Sequence, residues 1–228
     1  MTAGAVLLAV VLVVVLGGLA VRRVSDRWDG RRDALSADAV ADEPAPGPGQ
    51  TDDVAIVGDS ITEMSDRTVH QVLDPQFHVR IRGRGGYRVE EMEPYAIELA
   101  TSNPEQVVIN LGTNDVLKNW PLDKSVSALD RMVKEFSGAR CIHLVTINQW
   151  ITNEADPGVR ARAIVFNFAV RKIAADQHLD VIDWNAAIEA DLKAGSPRGA
   201  LTSDTIHPNA TGQTALAQLY RAALDDCT

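Results

Sequence analysis

Four polar clusters in this chain hold residue types that work together in acyl transfer. Gly58-Asp59-Ser60 presents a hydroxyl directly after the apolar run Val54 to Val57, and Gly112-Thr113-Asn114-Asp115 presents an amide after Gln106 to Leu111. Asp204-Thr205-Ile206-His207 sets an imidazole three residues after a carboxylate, and Gly83-Arg84-Gly85-Gly86 adds accessible backbone N–H groups. A serine hydroxyl is a weak nucleophile until a base removes its proton, and a histidine serves as that base once a carboxylate fixes its tautomer. Charge building on a carbonyl oxygen needs N–H donors, which glycine backbones and an asparagine amide supply. Each cluster also has an ordinary reading. Ser60-Ile61-Thr62-Glu63 fits the S-x-x-E capping box, Thr113, Asn114 or Asp115 suits a helix cap, and the glycines suit a tight turn. His70, His78, His143 and His178 have no comparable partner at short spacing and read as structural or surface residues.

The elements that must position these clusters follow from the apolar pattern. Val54–Val57, 77–82, 106–111, 141–147 and 179–182 read as strands covered on both faces. Helices are expected from Ser60 to about Leu73, over 89–100, 122–136 and 158–176, and from a first turn at Pro208 to about Leu224. Strands alternating with helices at this spacing imply βαβ units, hence a parallel sheet with helices on both sides. In such sheets ligands bind at the carboxyl ends of the strands, where three of the clusters lie. Arg88 stands where G-x-G-x-x-G needs its last glycine, which excludes the dinucleotide fingerprint, and Thr62 excludes the G-x-S-x-G elbow.

In the order and spacing of these blocks the sequence resembles the SGNH (GDSL-like) hydrolase family of esterases and lipases, over almost all of residues 53–224. The resemblance implies a flavodoxin-like three-layer α/β/α sandwich with a five-stranded parallel sheet. It implies Ser60 as nucleophile, His207 as general base and Asp204 as its orienting partner. The oxyanion hole would be the backbone N–H groups of Ser60 and Gly86 with the Asn114 side chain. Ile81 stands where the family often has an asparagine, five residues before that glycine. Neither a metal nor an organic cofactor is implied. The expected substrate is a small-molecule, glycan or lipid ester. Transfer of the acyl group to a glycan hydroxyl is the alternative chemistry, and a non-catalytic binding module is a more remote one. Tyr87, Trp120 and Trp150 suit either a substrate pocket or ordinary packing.

With 228 residues, 46% hydrophobic, the chain has room for one well-buried domain plus an appendage. The formal net charge is −9, and five of the 22 basic and six of the 31 acidic side chains fall in the first fifty residues, so the remainder is acidic as well. That balance argues against a nucleic-acid-binding surface. Thr2 to Val21 is uncharged, and twenty helical residues span a hydrocarbon core. No Lys or Arg precedes it and no small-residue cleavage site lies close behind, so residues 1–22 are expected to be an uncleaved transmembrane anchor. Residues 23–50 form an Arg-rich flank and a Pro/Gly/Ala linker, and the hydrolase domain occupies 51–228. Arg22, Arg23, Arg27, Arg31 and Arg32 favour a cytoplasmic flank. Cys141, opening a strand, and Cys227, closing the last helix, fall at the same end of the sheet. Pairing them would require an oxidising compartment, whereas two unpaired thiols are equally compatible with the sequence. The side of the membrane stays open at this point.

Overall fold

The computed structural model describes residues 50, 52–195 and 201–227. The expected anchor, flank and linker therefore lie outside the described residues, among which no helix is long and apolar enough to cross a membrane. Five strands form one parallel sheet in the order β2-β1-β3-β4-β5, with β1 Asp52–Gly58, β2 Phe77–Gly83, β3 Gln106–Asn110, β4 Cys141–Val145 and β5 Asp180–Ile182. Seven helices connect them among the described residues: α1 Ser60–Leu73, α2 Val89–Ala100, α3 Thr113–Leu117, α4 Leu122–Glu135, α5 Val159–Gln177, α6 Trp184–Lys193 and α7 Ala210–Asp225.

The apolar run of β1 is unbroken because each face of the sheet is covered. Ala55 and Val57 join a core with Met92 of α2, Val116 of α3, Met132 of α4 and Phe166 of α5. Val54 and Ile56 join the opposite core with Val69 of α1, Trp184 of α6 and Tyr220 of α7. This is the expected three-layer sandwich with a five-stranded parallel sheet. β1 leads into α1 on one face and β3 leads into α3 on the other, so the loops after the two adjacent strands diverge. The crevice at that reversal is where open α/β sheets take their ligands.

The differences from the sequence reading are local. β3 and β4 stop at Asn110 and Val145, and the loops that follow turn away from the ladder. Two helices, α3 and α6, were not anticipated. The last helix starts at Ala210, with Asn209 as its cap accepting from the Gly212 N–H at 3.0 Å, so Pro208 lies before the cap and not in the first turn. Pro208 instead forms an isolated antiparallel bridge with Thr202.

Cys141 and Cys227 are joined in a disulfide. Cys141 is the first residue of β4, so the bridge ties the end of α7 to the edge of the sheet opposite the crevice. Cys141, His143 and Asp180 bring potential ligand atoms within 4.8 Å of one another. The bridged sulfur of Cys141 is no thiolate, however, and a thiolate is what a metal would require.

Candidate active site

Ser60 opens α1, but it is not the cap. Asp59 is, its side chain accepting the Ile61 N–H at 3.0 Å, so the capping-box reading of Ser60 gives way to a cap one residue earlier. Relieved of that duty, Ser60 Oγ lies 3.0 Å from His207 Nε2. As the first residue of a helix, Ser60 also carries one of the N–H groups that have no intrahelical acceptor.

His207 belongs to a loop built to hold it. Its Nδ1 lies 2.7 Å from Asp204 Oδ2, while Asp204 Oδ1 accepts the backbone N–H groups of His207 at 2.7 Å and Ile206 at 2.9 Å. Burial alone would raise the Asp204 pKa, but these hydrogen bonds and the nearby imidazole outweigh it and hold the carboxyl below its ordinary value. With Asp204 accepting at Nδ1, the tautomer that fits leaves Nε2 free to accept from Ser60. Thr205 between them takes a left-handed φ of 68°. Its carbonyl accepts from Asn148 Nδ2 at 2.7 Å and its hydroxyl accepts the Thr152 N–H at 3.1 Å. Asn148 was not singled out from the sequence. The signal that would have found it is a polar residue immediately after an apolar strand run, the same signal that marks Ser60.

The two glycine-bearing blocks meet across the crevice. Gly86, with φ +83°, occupies the third position of a turn closed by the Tyr87 N–H on the Arg84 carbonyl at 3.3 Å. A Cβ added there would meet nothing within 4 Å, so its surroundings are open. Gly83 differs, because a Cβ there would run into the Glu63 backbone at 2.5 Å, and its role is close packing. Asn114 in α3 is 8% exposed and donates through Nδ2 to the Tyr87 carbonyl at 3.0 Å. One of its two N–H bonds is thereby fixed, which aims the other. The structure thus brings Ser60, Asp204 and His207 into one contact line, and it joins Asn114 to the turn that carries Gly86.

Two buried carboxyls sit behind these groups. Burial pushes the Asp59 carboxyl up to about 7, with Asp115 adding to the effect and the Ile61 N–H, the Thr113 hydroxyl and His207 opposing it. Burial likewise raises Asp115, against hydrogen bonds from Ser125 and Val89 and the charge of Arg88. Around the crevice loops, Trp120 lies beneath the Arg88 guanidinium at 3.6 Å and Trp150 beneath that of Arg160 at 3.9 Å, while Tyr87 packs edge-on to Tyr95. Of the remaining histidines, His70 does have short-spacing partners, Asp74 at 2.9 Å and Asp66 at 3.7 Å along α1. His143 is buried, and that burial lowers its pKa.

The model of the GDSL-like lipase/acylhydrolase family matches residues 56–215, well over half of the chain. The chain belongs to that family. It is therefore an ester-hydrolysing enzyme of the SGNH type. Similar solved structures include an acetylxylan esterase from Geobacillus stearothermophilus, 24% identical, with a TM-score of 0.66 over 77% of this chain and 95% of that one. The acetyl xylan esterase AlAXEase is 23% identical with a TM-score of 0.65, over 75% and 99% of the two chains. LAE5, an α/β hydrolase from the metagenome of Lake Arreo in Spain, is 20% identical with a TM-score of 0.67, over 79% and 98%. At these identities the likeness is one of fold. No match is found among curated proteins.

Proposed function

We propose that this GDSL-like enzyme hydrolyses carboxylic esters by two-step acyl transfer, with Ser60 as nucleophile, His207 as general base and Asp204 as the carboxylate that orients and stabilises the imidazolium. The observation that carries the reading is the contact line itself, 3.0 Å from Ser60 Oγ to His207 Nε2 and 2.7 Å from His207 Nδ1 to Asp204 Oδ2. Ser60 Oγ attacks the ester carbonyl carbon as Nε2 takes its proton, and His207 then returns that proton to the departing alcohol oxygen. In the second step water gives a proton to Nε2 and attacks the acyl-enzyme, and His207 passes that proton to Ser60 Oγ as the bond to the acyl carbon breaks and the carboxylic acid is released. The N–H groups of Ser60 and Gly86 and the Asn114 amide stabilise the oxyanion in both steps. In the Geobacillus esterase, catalytic mutants replace a serine, an aspartate and a histidine, the last two three residues apart as Asp204 and His207 are.

As substrate we assign a short acyl group on a carbohydrate hydroxyl. Two of the similar structures are acetylxylan esterases. We further assign the domain to an oxidising compartment outside the cytoplasm, tethered by residues 1–22. The Cys141–Cys227 disulfide supports this, since cytosolic thiols are kept reduced. The arginine flank favours the other side, but loop charge is a statistical bias, and a covalent bond between the only two cysteines weighs more.

The test is turnover of p-nitrophenyl acetate, a long-chain p-nitrophenyl ester and acetylated xylan, each with the wild-type enzyme and with Ser60→Ala. Serine-dependent release that favours acetyl over the long chain is expected. A long-chain preference would overturn the substrate assignment, and turnover that survives in Ser60→Ala would overturn the mechanism.

A further inference from the structure

We infer that Asp115 is the positioning residue of the oxyanion hole, acting through a buried clamp that holds its two non-serine donors in register. The inference rests on the assignment of Gly86 and Asn114 to that hole. Those donors come from different parts of the chain, Gly86 from the turn after β2 and Asn114 from the helix after β3. The strand ladders end before either residue, at Gly83 and Asn110, so the sheet does not fix their separation. Consecutive residues of α3 do so instead. Asn114 Nδ2 donates to the Tyr87 carbonyl at 3.0 Å, and Asp115 Oδ2 accepts the Val89 N–H at 3.1 Å. The segment immediately after Gly86 is thereby held at two points by the residue that bears the amide donor and by its neighbour.

Asp115 is itself immobilised. It is 0% exposed, and its second oxygen, Oδ1, accepts the Ser125 hydroxyl at 2.6 Å, with Ser125 equally buried in α4. Its backbone carbonyl takes the Trp120 N–H at 2.9 Å. One carboxylate thus links the start of α2, the short helix α3 and the longer helix α4. A helix of five residues has little stability of its own, so its orientation depends on such links. Burial raises the Asp115 pKa, and the hydrogen bonds from Ser125 and Val89 oppose that rise, so the clamp contacts are what hold this buried side chain in place. Misplacing a catalytic donor by about 1 Å can lower turnover by roughly 100-fold, which gives the clamp its leverage.

The experiment is a double-mutant cycle on kcat and KM for p-nitrophenyl acetate, using wild type, Asp115→Ala, Asn114→Ala and the double variant, with circular dichroism to verify folding. Asp115→Ala should lower kcat by about 30- to 100-fold with KM changed less than about twofold. In the Asn114→Ala background the same change should lower kcat at least about threefold less than in wild type, because one of the two donors it positions is already gone and only Gly86 is left to misplace. Asp115→Asn should retain kcat within about threefold. Its amide oxygen can still take the Val89 N–H while the Ser125 hydroxyl turns to accept from its NH2. Equal fold-losses in both backgrounds, or an Asp115→Asn variant as impaired as Asp115→Ala, would overturn the inference. If Asn114→Ala alone keeps full kcat, the fault lies in the hole assignment and not in the clamp. Should Asp115→Ala fail to fold, Ser125→Ala replaces it in the cycle. It removes one leg of the clamp outside the hole, and about a three- to tenfold loss of kcat that shrinks in the Asn114→Ala background is expected, an unchanged kcat being the contrary result.

Discussion

Replacing Asn114 by alanine removes one oxyanion donor together with one of the two hydrogen bonds that hold the segment after Gly86. The side chain is 8% exposed and one N–H is held by the Tyr87 carbonyl at 3.0 Å, so the amide is oriented before substrate arrives and loses little freedom on binding. A pre-organised oxyanion donor is worth about 3–4 kcal/mol in the transition state, or roughly two to three orders of magnitude in kcat. The ester carbonyl of the ground state carries little charge, so KM should move by less than about threefold. The orphaned Tyr87 carbonyl costs about 1 kcal/mol of stability. The Ser60 and Gly86 amides remain, so Asn114→Ala should stay measurably more active than Ser60→Ala. Steady-state hydrolysis of p-nitrophenyl acetate, beside a urea melt of each variant, separates the two effects. A kcat within about threefold of wild type, or a loss confined to KM, would refute the assignment of Asn114 to the oxyanion hole.

Gly112 has φ +115°, and a Cβ there would lie 2.1 Å from the Phe166 ring, so Gly112→Ala should lose about 2–4 kcal/mol in a urea melt, whereas Gly86→Ala, with open space around it, should lose about 1 kcal/mol. Asp59 has an ordinary pKa of 3.8 and a folded one of about 7, so between those values the folded state holds the extra proton and stability falls as pH rises. Asp59→Asn should remove that share of the decline while still accepting the Ile61 N–H, and urea melts of both proteins at pH 5 and pH 8 with equal slopes would count against the buried acid. The disulfide closes a separation of 86 residues, so the Cys141→Ser/Cys227→Ser protein should lose roughly 2–5 kcal/mol yet keep its kcat, because the bridge lies at the opposite edge of the sheet from the crevice.

How much of this was legible in the sequence depended on whether a feature is local. The runs in β1, β3 and β4 announce themselves because both faces are covered, and no polar residue interrupts Val54–Val57. Ser60, Asn114 and His207 stand out as polar residues at the ends of such runs or in a late loop. α3 is too short to show a period and begins on three polar residues. α6 does carry a local signal, Asp183 just ahead of the apolar Trp184, the Asp183 carboxylate accepting the Ala186 N–H at 3.1 Å. The cap at Asp59 was hidden because Ser60 fits the same pattern one residue later. What no local pattern carries is contact between distant segments. Asp115 to Val89 and Ser125, Asn148 to Thr205 and Cys141 to Cys227 all depend on how the crossovers stack.

In the proposed mechanism Ser60 carries the acyl group between the two steps. Rapid mixing of the enzyme with p-nitrophenyl acetate, followed by acid quench, proteolysis and mass spectrometry, tests it most directly. Acetyl is expected on the peptide containing Ser60 during turnover, with neither label nor turnover beyond the residual level in Ser60→Ala. Acetyl on another residue, or full turnover by Ser60→Ala, would contradict it.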